Sequence, residues 1–301
     1  MRIVTYTDGL TTRAGVIAGD GSIVAVASLV PGAPDDVLGL IAAGPELSRR
    51  VSAAASTAKG GVPLMGAHLH APIPRPRRNV FCVGWNYASH FEEGRKARIG
   101  GAASTPSAQE IPEWPAFFSK NPATVTGPHD PIIFPSPHSV ELDWEVELAV
   151  IIGRSGKEIG EAAAYEHVFG YAVANDVSVR DVQRRHGGQW FKGKNFDTHL
   201  PLGPWIVTAD ELGDPNDLRV STRVNGVTKQ DSRTSFMVFK IPRLLRELSA
   251  GCALEAGDVI ITGTPEGVGF ARKPPEFLKV GDVVEVEIER IGTLRNTVVA
   301  P

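Results

Sequence analysis

Residues 141–150 read ELDWEVELAV, in which Leu142, Trp144, Val146 and Leu148 alternate with Glu141, Asp143, Glu145 and Glu147. A period of two is the mark of a strand with unlike faces, so the stretch predicts a strand with carboxylates along one side. On pattern alone that side reads as solvated, because antiparallel sheets commonly leave one face wet. The chain carries its own control in VVEVEIER, residues 283–290, where Glu285, Glu287 and Glu289 alternate with Val284, Val286 and Ile288. Whatever separates the two strands must lie elsewhere in the sequence.

Working outward, the 301 residues are 42% hydrophobic and 22% charged, enough for one large or two smaller globular domains and unlike a disordered chain. A net charge of −3 gives no global field toward nucleic acid or an anionic membrane. Cys82 and Cys252 form neither a disulfide framework nor a metal-type pair, which fits a reducing cytoplasmic setting. The N-terminal stretch lacks a signal-peptide apolar core, and no apolar run reaches membrane-spanning length. A soluble cytoplasmic protein is expected.

Residues 16–26, VIAGDGSIVAV, predict a hairpin closed at Asp20-Gly21. A helical stretch follows over 35–56, interrupted at Gly44-Pro45. Pro72, Pro74 and Pro76 favour an extended linker, placing a boundary between a small N-terminal α/β domain, 1–75, and a second domain, 76–301. Residues 92–112 lack an apolar period and read as a long loop. Helices are expected over 158–170 and 240–251, the latter presenting Leu244, Leu245 and Leu248 on one face and stopping at Gly251. LEAGDVIITG and LKVGDVVEVEI are two similar turn-and-strand units. Strands and helices do not alternate regularly, so the fold class is α+β with a rolled, largely antiparallel sheet.

Residues 170–190, GYAVANDVSVRDVQRRHGGQW, begin as a strand and pass through Asn175-Asp176 into a predicted helix with Ser178 as N-cap and Arg180 and Gln183 on one face. Asp176 at a strand end, with Glu145 and Glu147, makes three carboxylates, which crowd together only when a cation or protons neutralise them. An all-oxygen set suits a hard ion such as Mg²⁺ or Mn²⁺, with Ca²⁺ able to stand in within a crystal; zinc fits poorly because His and Cys spacing is lacking.

NYASHFEE, DWEVELAV, GYAVANDVSVRDVQ, FKGKNFDTHLPLGPW, VNGVTKQDS and LEAGDVIITGTPEGVG stand in the order found in the fumarylacetoacetate hydrolase family, and the chain resembles that family over residues 79–299. The resemblance implies a mixed β-sandwich roll, a homodimer, and metal ligation by Glu145, Glu147 and Asp176. It further implies a water-activating dyad of His90 and Glu93, with Glu92 the neighbour open to confusion. Lys194 resembles the active-site lysine, and Arg180 and Gln183 resemble substrate-facing residues. TGTPEGVG, with Gly263 and the hydroxyl of Thr264, resembles a loop that binds a substrate carboxylate, and Lys120 a further anion contact.

The expected activity is hydrolysis of a carbon–carbon bond in a 2,4-dioxo acid of the acylpyruvate or fumarylpyruvate type, giving pyruvate and a carboxylic acid. The alternatives on the same site are isomerisation, hydration or decarboxylation of a 2-oxo acid, oxaloacetate included. A non-enzymatic binding protein is a remoter reading. Arg184, Arg185 and Lys192 beside Trp190 and Phe191 prompt a nucleic-acid reading, which the net charge disfavours. Closure of residues 92–112 over the substrate, with Arg95, Lys96 and Arg98 meeting a second carboxylate, is the reading for the loop, with a plain solvated loop as its rival.

Overall fold

Seven consecutive buried residues, Val146–Ile152, form the strand around which the fold is built. In the computed structural model, which describes residues 1–9, 11–97 and 112–301, this strand lies between Val168–Asn175 and Val259–Ile261, antiparallel to both. A strand covered on both faces needs apolar residues on both, and its two parities enter different cores. Val146, Leu148, Val150 and Ile152 join one hydrophobic cluster; Ala149 and Ile151 join a second.

The fold is α+β with mixed sheets. The second cluster fills a roll. Val259–Ile261 pairs in parallel with Val80–Gly84, which pairs with Ala116–Lys120. Immediately afterwards Val125–Thr126 pairs with Leu200–Thr208, itself paired with Val168–Asn175, and the ring of strands closes. A five-stranded sheet containing Arg219–Val224, Val283–Ile288 and Gly292–Val299 packs on the first cluster. Arg2–Asp8 pairs antiparallel with Leu200–Thr208, so hydrogen bonding runs on without a break from the N-terminal strands into the roll. A division at residue 75 is therefore a proposal about folding units and marks no gap in the sheet.

Several expectations hold locally. Thr11–Ile17 and Ser22–Ala25 form the hairpin, and helices span Val37–Ala42 and Pro45–Thr57 either side of Gly44. Helix Ile241–Ser249 buries Leu244 and Leu245 and is followed by Gly251 at φ +79°. The two echoed turns are alike in detail. Asp258 and Asp282 each accept the N–H three residues earlier, Glu255 and Lys279, at 2.8 Å. The control strand is also as expected: Glu285 and Glu287 lie half-buried to exposed beside Arg223, over buried Val284, Val286 and Ile288.

Others need correction. The stretch 141–150 is two strands, Leu142–Asp143 and Val146–Ile152, broken at Trp144 and Glu145, and its carboxylate side is buried rather than wet. Leu142–Asp143 pairs with Ser178–Val179, so Ser178 is in a strand and donates to Asp176 O; helix Arg180–Arg185 has no side-chain N-cap. Residues 92–97 continue helix Ala88–Ala97, and the rest of the expected loop, residues 98–111, lies outside the described residues. The stretch 158–170 gives a 3₁₀ helix, Glu161–His167, before its strand. Among the described residues no helix is long and apolar enough to cross a membrane.

Leu244→Ala is expected to destabilise the protein by about 2–5 kcal/mol, since Leu244 is fully buried. Leu248→Ala, at a partly buried position, is expected to cost clearly less. Urea midpoints at constant m check both, and equal losses would contradict the helix orientation.

Candidate active site

Register brings the carboxylates together. Val146 lies opposite Asn175 and Glu147 opposite Ala174, which carries Glu145 to Asp176; the Asp176 N–H donates to Glu145 O at 2.9 Å. Glu145, Glu147 and Asp176 thus share the face that continues as Ala149 and Ile151, at one end of the roll. Their oxygens approach within 4.8 Å of one another, and all three residues are buried. On the other side Ala149 faces Ile261, so Glu147 meets Gly263, whose N–H donates to Glu147 Oε2 at 2.6 Å. Gly263 has φ +94°, and a Cβ there would come within 2.8 Å of Asn86 Cβ.

Positive charge surrounds the cluster. Lys194 Nζ lies 2.7 Å from both Glu145 Oε2 and Asp176 Oδ2. Arg180 Nη2 is 2.6 Å from Glu145 Oε1, and Lys120 Nζ is 2.8 Å from Asp176 Oδ1. Neither of these last two contacts has hydrogen-bond alignment, which leaves Asp176 Oδ1 and Arg180 Nη2 buried without a directed partner. Burial works against ionisation of Glu145, but Lys194, Arg180 and His90 outweigh it and hold the carboxyl down to about 2. Glu147 goes the other way: burial first, then the charges of Asp176 and Glu145, push it well above the usual carboxylate range. Burial lowers Lys194, yet Asp176 and Glu145 reverse the direction and raise it; for Lys120 burial prevails and lowers it.

The donor set fits a divalent cation. Three convergent buried carboxylates, one of them raised by burial and by its acidic neighbours and another with an undirected oxygen, are the chemistry of a hard, oxygen-ligated ion such as Mg²⁺ or Mn²⁺. Four carboxylates here, with Asp143, face Lys120, Arg180 and Lys194. With all four ionised, one negative charge is left over. A divalent ion and an ionised Glu147 leave the centre one unit positive, which favours an anionic substrate.

The remaining candidates gather at the same end. His90 and Glu93 lie on helix Ala88–Ala97, with His90 Nδ1 3.6 Å from Glu93 Oε2. Glu93, rather than the exposed Glu92, faces His90, and it also accepts the Gly267 N–H at 3.0–3.1 Å. Gly267 has φ +97°, and a Cβ there would stand 2.1 Å from Lys229 O. Gln183 accepts from Arg180 Nη1 at 3.2 Å, so these two do share a face. Thr264 is buried, and its hydroxyl accepts from Gln230 Nε2 at 2.8 Å. Lys120 is spent on Asp176 and on Val177 O, inside the roll.

Four further side chains support the site. Asn175 Oδ1 accepts the Glu145 N–H at the strand break, and Gln230 Oε1 accepts the Val146 N–H while its Nε2 reaches Thr264 and Pro265. Asn86 ties Phe239 to Thr262 through both amide atoms. Asp143 binds Arg180. Asn175, Asn86 and Gln230 stand inside the quoted family motifs, so a signal was present, but no spacing rule says where an amide points.

These features define a buried carboxylate centre ringed by cationic side chains, with a His–Glu pair at the same end of the roll. A profile of the fumarylacetoacetate (FAA) hydrolase C-terminal domain matches residues 79–299, and the chain belongs to the fumarylacetoacetate hydrolase family. Among its relatives, oxaloacetate tautomerase YisK of Bacillus subtilis is 46% identical over 230 residues, 76% of this chain and 72% of that protein. A mitochondrial oxaloacetate tautomerase of Homo sapiens is 48% identical over 230 residues, 76% of this chain and 68% of its own. Maleylpyruvate hydrolase from Sphingobium sp. SYK-6, solved with manganese and pyruvate, superposes at TM-score 0.78 with 30% identity, covering 100% of this chain and 99% of that one.

Titration of the metal-free protein with Mn²⁺ is expected to release protons, because Glu147, raised above the ordinary carboxylate range by burial and its acidic neighbours, must ionise to bind. Affinity should therefore fall as pH is lowered. Since the folded-state value of Glu147 lies above its unfolded one, ionising it destabilises the metal-free fold as pH rises, and the ion reverses this. Glu147→Gln mimics the protonated acid and is expected to abolish Mn²⁺ binding while leaving the metal-free Tm unchanged or higher. Calorimetry in two buffers of different ionisation enthalpy reads the proton; wild-type Mn²⁺ affinity in the variant would overturn the ligand assignment.

Proposed function

We propose that the protein is a divalent-metal-dependent tautomerase of oxaloacetate, interconverting its keto and enol forms, so that the isomerase alternative takes precedence over carbon–carbon hydrolysis. The supporting observation is one proton-transfer group, His90 backed by Glu93, at the same end of the roll as a cation centre ringed by Lys194 and Arg180. Tautomerisation needs those parts and nothing more. The names of the tautomerase relatives, whose similarity runs over three quarters of the chain, support the same reading.

In this scheme Arg180, Gln183 and the 262–269 loop orient the carboxylates of oxaloacetate. His90 takes a proton from C3, and Glu93 stabilises the imidazolium. Lys194 places positive charge beside the 2-oxygen as negative charge develops there. The proton returns to that oxygen, giving the enol with no net change in atoms or charge. A bound Mg²⁺ or Mn²⁺ held by Glu145, Glu147 and Asp176 supplies Lewis-acid polarisation of the 2-oxo acid. A cytoplasmic homodimer is the proposed setting.

Hydrolysis of a 2,4-dioxo acid is the second reading, favoured by the same dyad acting on water and by the manganese-bound maleylpyruvate hydrolase relative. Two assays separate them. With Mn²⁺, decay of enol absorbance of oxaloacetate is expected to accelerate and His90→Gln to lose about 10²–10⁴ of that rate, with chelator abolishing it. Pyruvate release from acetylpyruvate with no effect on the enol would instead establish the hydrolase.

A further inference from the structure

Asp143 stands outside the ligand set, yet it is fully buried and accepts four hydrogen bonds. Its Oδ1 takes the N–H of Trp144 at 2.9 Å and of Gly269 at 2.7 Å; its Oδ2 takes Phe270 N–H at 3.1 Å and Arg180 Nε at 2.7 Å. The Arg180 guanidinium carbon lies 4.5 Å over the Phe270 ring. A Cβ at Gly94, on the helix of His90 and Glu93, would sit 3.7 Å from the tip of that ring. Gly269 admits no side chain, because a Cβ would come within 2.7 Å of Asp143 Oδ1 and 2.0 Å of Glu276 O.

An arginine gripped at Nε cannot turn its fork freely, so the remaining nitrogens are preset. Here Nη1 meets Gln183 and Nη2 meets Glu145. We propose that Asp143 is a positioning residue which, by binding Arg180 and the Gly269-Phe270 backbone together, fixes the guanidinium and the aromatic ring as one wall of the site, preset for a substrate carboxylate. The proposal deepens the reading of Arg180 as substrate-facing and rests on it.

The test is a double-mutant cycle read by calorimetric binding of oxalate, a planar dianion that mimics the carboxylate and enolate oxygens of a 2-oxo acid, at saturating Mn²⁺. Asp143→Asn is expected to weaken oxalate binding about tenfold, although losing a negative charge would by Coulomb's law alone tighten an anion. In an Arg180→Met background the same substitution is expected to change affinity by less than about twofold. Oxalate bound by Asp143→Asn as tightly as by wild type, an equal loss in both backgrounds, or no oxalate binding by wild type would each overturn the proposal. Should Asp143→Asn fail to fold, Asp143→Glu keeps the charge but moves the carboxylate off Arg180 Nε: about tenfold weaker binding that vanishes in the Arg180→Met background supports the proposal, and wild-type affinity overturns it. Binding needs no turnover, so a wild type without tautomerase activity would remove the proposed function and leave this cycle standing.

Discussion

Three buried carboxylates whose oxygens lie within 4.8 Å of one another at one end of the roll are the constraint on which the rest of this structure turns. Like charges so close are tolerated only with compensation. The chain supplies it from three directions: Lys194 from the helix Phe191–Lys194, Arg180 from the helix Arg180–Arg185, and Lys120 from the far strand of the roll. Closing the roll is what brings Lys120 to Asp176, since in an open sheet three strands would lie between theirs. Even so, the balance falls one charge short, and Glu147 is pushed above the ordinary carboxylate range by burial and its neighbours where a divalent ion fits. Fold and chemistry here share one electrostatic problem.

Part of this was legible in the sequence. The carboxylate side of 141–150 followed from period two and the place of Asp176 at a strand end from the N-D step, whereas the ligand roles and the pairing of His90 with Glu93 rested on the family motifs. The hairpin at Asp20-Gly21 and the two Asp-capped turns at 255–258 and 279–282 were likewise local signals, since a turn is set by residues adjacent in the chain.

What escaped was non-local. The break at Trp144-Glu145 leaves the apolar alternation intact on both sides, so pattern alone does not reveal it. Its causes are the amides of Asn175 and Gln230, which take over the Glu145 and Val146 N–H groups. Burial of the carboxylate face was invisible for the same reason: ELDWEVELAV and VVEVEIER have one pattern, but only the first borders residues that close a roll over it. Pattern does not separate hydrolysis from tautomerisation either, because both ask for the same ions and the same base.

We propose that Glu145, Glu147 and Asp176 jointly hold a divalent cation. Anomalous diffraction from crystals grown with Mn²⁺ tests it most directly. The expected result is one strong peak within bonding distance of an oxygen from each of the three residues; no peak there, or a peak held by other side chains, would contradict it.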